Sequence, residues 1–205
     1  DSLNDPNTIA NSSVSAFAAY QYVDFGETGI TGVEMEYAND SAGKVVDFWI
    51  YDGALDGLTV SDGKLYRNNQ EVGQKIATLS TQNSTGWENF ITSVGSASDR
   101  MVKGMHTVII TFHAIATGNI RSFRFIERQP TDAFSDIQAN STDFYENVDV
   151  RFEGVNDENT IGGVSINSYA AYDSVDFGDK GIASVSANYA VDTQYAGRTI
   201  YFWIY

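Results

Sequence analysis

The chain has no cysteine, two prolines, two histidines and only 12 Lys plus Arg in 205 residues. Without cysteine there are no disulfides and no thiolate chemistry. With two histidines and neither a Ser-His nor a His-His cluster, nucleophilic and zinc chemistry lack their components. The few bases stand against 27 Asp plus Glu, giving a net charge of −15 and a pI near 4.2. Nucleic acid and anionic membranes both need a basic face, so neither is an expected partner. No run of 18 apolar residues occurs, so no segment reads as a membrane-spanning helix. An initiator Met and a signal peptide are also missing, and both ends read as fragment boundaries rather than natural termini.

What is present is aromatic, small and polar: 12 Phe, 12 Tyr and 18 Gly, among many Asn, Ser and Thr. Together with the acidity this is the composition of a secreted, bacterial-type β-protein, so an extracellular location is expected.

One stretch is written twice. AAYQYVDFGETG at residues 18–29 returns as AAYDSVDFGDKG at 170–181, and Val23 and Val175 stand 175 − 23 = 152 positions apart. NDPNTI matches NDENTI upstream, and VVDFWIY at 45–51 matches TIYFWIY at 199–205. Solenoid periods run about 20–50 residues, so this spacing indicates a duplicated domain. Nothing after Tyr51 has a counterpart in the second copy. Pro130, in RQPTD, marks the boundary. The expected division is a first domain over 1–129 lacking its first strand, and the N-terminal part of a second over 130–205.

Short runs rich in Val, Ile, Phe, Tyr and Thr, bounded by Gly, Asn, Asp and Ser, predict strands at 13–25, 32–38, 44–51, 75–80, 88–94, 105–114 and 121–127. Alternation puts Val46, Phe48 and Ile50 on one face and Asp47, Trp49 and Tyr51 on the other. It likewise puts His106, Val108, Ile110 and Phe112 toward the core, which makes His106 a structural histidine and turns His113 to solvent. A hairpin is expected around Ser61-Asp62-Gly63, and a further strand at 133–140 opening the second copy. Seven or more strands without a helical period read as an all-β sandwich.

Glu34 and Glu36 alternate with Met35 and Tyr37, the pattern of a solvated strand face rather than of a glycosidase pair. The Glu-x-Asp-x-x-Glu arrangement of jelly-roll glycosidases is absent. The aromatics near turns carry more. Phe17 and Tyr169 occupy the same repeat position, Trp87 follows the turn Thr85-Gly86, and Asn119 follows Gly118. Rings plus an amide suit sugar recognition, because a pyranose offers C–H faces to rings and hydroxyls to fixed donors and acceptors. The bland reading makes Phe17 core and Trp87 a cap on the sandwich.

The chain resembles a family 6 carbohydrate-binding module. The resemblance rests on Y..VDFG..GI within 17–30, the strands 33–38 and 45–51, G..IA.L at 73–79, TGW..F at 85–90, G.HTV.ITF at 104–112 and GNI.SF.F at 118–125, in that order. It implies a β-jelly-roll of about 130 residues without catalytic activity, binding a polysaccharide of the xylan, β-glucan or agar class beside an attached glycoside hydrolase. It further implies a site in loops at one edge, where Phe17 and Trp87 would be the rings and Asn119 the amide, with Tyr169 in the second copy. An early-loop Glu that often assists is matched by Glu158 in the second copy and by Pro6 in the first.

The family commonly carries a structural calcium. Here its ligand positions hold Gln138, Asn140 and Arg121, so no calcium and no other cofactor is expected, because calcium needs about 6–8 oxygens, several of them anionic. A second cleft used by some relatives would fall near Trp49 and Tyr51, which otherwise read as core. The resemblance also implies that the first strand pairs with the last. From this, residues 134–139 are expected to fold back on 121–127 and fill the edge left by the missing strand. A glycan-active hydrolase and a ligand-free surface repeat remain as alternatives.

Overall fold

The computed structural model describes residues 8–150, 159–179 and 181–205. Its centre is a seven-stranded antiparallel sheet built from β1 (Phe17–Asp24), β2 (Ile30–Asn39), β3 (Val45–Ile50), β7 (Gln74–Ser80), β8 (Gly86–Ala97), β9 (Met105–Phe112) and β10 (Asn119–Glu127). Between β3 and β7 lie three short strands, β4 (Leu58–Ser61), β5 (Lys64–Arg67) and β6 (Gln70–Val72), which form a separate sheet. The large sheet runs β1-β9-β3-β7-β8-β2-β10.

That order describes a sandwich because the sheet curls. β7 and β8 pair at only two positions, Ala77↔Ala97 and Thr78↔Ser96, which makes their junction the fold line. Gly95 sits at this crossing, where an added Cβ would collide with the Thr78 carbonyl and Leu79. The two ends of the order, β1 and β10, then meet across the core: Tyr20 and Phe123 lie ring edge to ring face at 5.0 Å. Phe48, fully buried, lies 5.5 Å from Phe123 and 5.8 Å from Phe125.

Period-2 patterning drives the layers together. On β2, Val33, Met35 and Tyr37 enter the core while Glu34 and Glu36 face outward. β3 and β9 are buried on both faces over 46–49 and 108–112. Val46, Phe48, Val108, Ile110 and Phe112 fill the main core. Trp49 and Ile109 point the opposite way, into a second cluster with Leu58, Val60 and Leu65 under the three-stranded hairpin. Trp49 is 5% exposed and donates its indole N–H to Thr111. Of the two readings of Trp49, core and second cleft, its burial under the hairpin agrees with core. Tyr51 packs against the same cluster.

The expected hairpin turn forms, with Asp62 and Gly63 both at positive φ (50° and 74°). Gly63 also lies against the His113 ring, which a Cβ would strike. Gly63→Ala is expected to lower stability by about 1–2 kcal/mol and to speed amide exchange in 58–72. Gly26→Ala, at φ 67° with open space around it, carries only the backbone cost and serves as its control in thermal melts.

Both histidines are paired. His106 is half-buried near the core face, with Nδ1 2.7 Å from Asp52 and Nε2 2.9 Å from the Lys103 carbonyl. His113, on the outer face, bonds Asp47 at 2.8 Å. Asp47 is buried and also accepts from Thr78 at 2.5 Å.

After β10 the expectations fail in three places. Residues 133–138 form no strand, and 139–141 form a 3-10 turn. Asp132 ends the extended run by accepting from the Phe134 N–H and the Ser135 hydroxyl. Residues 134–139 do not pair with β10: among the described residues β10 pairs with β2, and Ile120 also bridges Ile9. The segment instead forms β11 (Thr131–Asp132), β12 (Phe144–Glu146), β13 (Asp149–Val150), β14 (Ile161–Gly162), β15 (Tyr169–Ala171) and β16 (Val175–Asp176). These pair as β11-β16, β12-β15 and β13-β14. Residues 199–205 are exposed and not extended into a sheet. Their counterpart β3 lies between β7 and β9, and the 205 residues hold no second copy of those strands.

The repeated sequence nonetheless writes the same local backbone twice. Positive φ recurs 152 residues apart at Asn11 and Gly163, Tyr22 and Ser174, Gly26 and Gly178, and Gly29 and Gly181. The Asp24 carboxylate accepts the Gly26 N–H, and Asp176 accepts that of Gly178.

Candidate functional site

Strand pairing gathers one set of ends at one rim of the sandwich. Phe17 lies opposite Thr111, Val46 opposite Phe112, Val45 opposite Ser80, Asn39 opposite Gly86 and Ala38 opposite Asn119. The rim therefore carries loops 40–44, 81–85 and 113–118. Segment 9–16 is tied on by Ser12, whose carbonyl and hydroxyl accept the Ala116 and Thr117 N–H groups at 2.8 and 3.0 Å.

A buried polar clamp fixes the loop before Trp87. The Asn39 N–H donates to the Ser84 hydroxyl oxygen at 2.7 Å, and the Ser84 N–H donates to the Asn39 side-chain oxygen at 3.2 Å. Both residues are nearly inaccessible to solvent, where unpaired amides would be costly. Beyond the clamp, Asn83 accepts the Thr85 N–H and closes an Asx turn. Thr85 then stands at φ 68°, a left-handed conformation that a β-branched residue adopts at about 1–3 kcal/mol. The following Gly86, at φ 145°, delivers Trp87 half-buried onto the rim.

Two neighbours hold Trp87, one at its backbone and one at its ring. The Asn119 side-chain N–H donates to the Trp87 carbonyl at 2.9 Å. The Lys44 ammonium lies 5.6 Å from the ring centroid, donates to the Ala116 carbonyl at 2.6 Å and sits 3.9 Å from Asp40. At this distance the cation is within range of the ring's negative face. Sequence reasoning missed Lys44; its only signal was a base directly after the turn Asp40-Ser41-Ala42-Gly43.

The structure joins Asn119 to Trp87 by a hydrogen bond, whereas the contacts of Phe17 and Tyr169 are with other residues. Phe17 packs half-buried against the hairpin cluster of Trp49, Leu58, Val60, Leu65 and Ile109. Tyr169 lies on β15 opposite Glu146, 51% exposed and in a different sheet. Asn119 itself is 8% exposed. One of its two amide N–H groups is engaged by the Trp87 carbonyl, and through it Asn119 positions the Trp87 backbone. Asn119→Ala is expected to weaken any ligand held by Trp87 about 3–10-fold, with little change in the far-UV spectrum; a titration of the variant against the parent checks this. Glu158 and Pro6 lie outside the described residues.

The outward carboxylates are neutralised. Glu34 receives two hydrogen bonds from Arg124, at 2.7 and 3.0 Å, and these hold its carboxyl below the ordinary range. Glu36 pairs with Arg121 at 2.9 Å, and that guanidinium stacks 3.5 Å from the Phe90 centroid. A groove of about 370 Å³ lies over these acids with Thr92, Ser122, Phe123 and Arg124. A retaining glycosidase needs one carboxyl kept protonated as its acid, and Glu34 is shifted the other way. Neither histidine bonds a hydroxyl among the described residues. The residues at the family's calcium positions do not suit the ion either, because Arg121 brings a cation already paired with Glu36.

No protein-family model and no curated protein matches the sequence. Among solved structures, a family 43 arabinoxylan arabinofuranohydrolase from Bacillus subtilis, in complex with cellotetraose, aligns at 19% identity and a TM-score of 0.44. That alignment covers 59% of this chain and 21% of the hydrolase chain. A β-1,3-glucan-binding family 6 module from Bacillus halodurans aligns at 18% identity and a TM-score of 0.44, covering 58% of this chain and 75% of the module. A family 6 module from Clostridium cellulolyticum, in complex with xylose, aligns at 18% identity and a TM-score of 0.40, covering 59% and 88%. The chain thus spans about a fifth of the length of that hydrolase and most of the length of the two modules.

Proposed function

We propose that this chain is a non-catalytic carbohydrate-binding module that holds a neutral polysaccharide on the rim carrying Trp87. The observation that carries the reading is the effort spent on one half-buried indole. A buried clamp, a strained Thr85, an amide and an ammonium all fix its place. An indole held this way offers a flat apolar face for sugar C–H groups. The loops around it supply amides and hydroxyls, including Asn83 and Gln82, for the sugar's edges. The net charge of −15 favours neutral chains such as xylans or β-glucans over uronic or sulfated ones.

In this reading Trp87 is the stacking platform and Asn119 its positioning residue. Phe17 contributes at the margin of the hairpin, and Tyr169 belongs to a second, tandem copy. The module would work extracellularly beside a glycoside hydrolase, without calcium or other cofactor. One stacked ring at ~1–3 kcal/mol and a few hydrogen bonds at ~1 kcal/mol each give affinities on the order of 10 μM to 1 mM. Affinity electrophoresis of the 205-residue chain in gels containing xylan, β-glucan or agarose tests this, with retardation in a neutral glycan expected. Unretarded migration in all three contradicts it. Reducing-sugar release from the same glycans would favour the hydrolase alternative instead.

A further inference from the structure

The end of the sandwich opposite the rim is not left open. There β8 and β10 finish, β9 begins, and Arg128 donates its backbone N–H to the Gly29 carbonyl. The Arg128 side chain, 6% exposed, turns toward the following segment and meets Asp143, 1% exposed, at 2.7 Å. The same guanidinium nitrogen donates to the Asp173 carbonyl at 3.0 Å, and its partner nitrogen lies 3.3 Å from the Met101 sulfur. Asp143 also accepts the Asp173 N–H at 2.8 Å. Beside this buried centre, Lys103 pairs with the Asp173 carboxylate at 3.1 Å, both about one-third exposed.

The bases and the acids come from different parts of the repeat. Met101, Lys103 and Arg128 belong to the last third of the first copy, whereas Asp143 and Asp173 belong to the second. The repeat places Asp173 at the position of Gln21 (173 − 152 = 21), so the first copy has an amide where the second has this acid. The acids are themselves held together: the Asp143 N–H donates to the Ala171 carbonyl, and the Tyr172 hydroxyl donates to the Ala139 carbonyl. Backbone pairing of Thr131–Asp132 with Val175–Asp176 runs alongside.

We infer that the end of the sheet formed by Met101, Lys103 and Arg128 is a docking socket for the next repeat, which enters it through Asp143 and Asp173. A guanidinium is tolerated at this depth only with an anion to receive it, so a segment with neutral side chains in place of these acids is rejected. Docking at this end leaves the Trp87 rim free, and it holds whatever the rim binds. Burial raises the Asp173 carboxyl, but the hydrogen bonds from Lys103 and the Ser174 N–H and the charges of Lys103 and Arg128 outweigh it and hold the group below its ordinary value, ready to pair.

Hydrogen exchange on the 205-residue chain tests the socket. Arg128→Met is expected to speed exchange of the amides of 141–146 and 169–176 at least about tenfold, while amides of β2, β3 and β9 stay as protected as in the parent. Unchanged exchange in 141–146 and 169–176 overturns the inference. So does an equal loss over the whole sheet, which would make Arg128 a fold residue of the first copy. Should Arg128→Met not fold, Asp143→Asn approaches the same pair from the second copy and must loosen the same two stretches without loosening β2, β3 and β9.

Discussion

Trp87→Ala is expected to abolish retention on polysaccharide gels while leaving the far-UV spectrum and the melting temperature close to those of the parent. The ring is half-buried at the start of β8, outside both apolar clusters, so its removal leaves the sandwich packed. Stacking lost at ~1–3 kcal/mol lowers affinity roughly 5–150-fold. From a starting point of about 10 μM to 1 mM, most of that range passes out of detection. Retention equal to the parent's would place the ligand elsewhere on the molecule. A large fall in melting temperature would make Trp87 a packing residue, as the bland reading of its sequence position has it.

The second large effect concerns stability. Phe48 is fully buried and touches the rings of Phe123 and Phe125 across the fold of the sheet. Phe48→Ala removes those contacts and leaves a cavity between layers that meet directly at only two residue pairs along β7 and β8. The expected cost is about 3–5 kcal/mol, seen as a fall in melting temperature of roughly 10 °C or more. Loss of less than ~1 kcal/mol would mean that the layers close without this contact.

The strands of the first copy were legible because their burial follows simple periods. Val33, Met35 and Tyr37 alternate with Glu34 and Glu36, and the Asp62-Gly63 turn marks its hairpin. What alternation does not reveal is what covers an outward face. From their own strands, Trp49 and Phe17 each admit both a core and a ligand-facing reading. They are covered by Leu58, Val60 and Leu65, brought over them by the hairpin. Asn119 stands out by its place after Gly118, and the bond from one of its amide N–H groups to the Trp87 carbonyl is a long-range one that sequence spacing does not encode. Lys44 was missed for the same reason, since its partner Trp87 is 43 residues away (87 − 44). After β10, apolar character at 133–140 and 199–205 gave strand signals without partners. A strand is a property of its neighbours as much as of its own residues, and β3 shows this with β7 on one side and β9 on the other.

The most direct measurement is an NMR titration of the three indole N–H signals with neutral xylo- and gluco-oligosaccharides, assigned through Trp87→Phe. Trp87 should shift progressively with ligand, whereas Trp49, whose N–H is buried on Thr111, should stay fixed. If the glycan binds and the Trp87 signal does not move, the rim is not where the sugar sits.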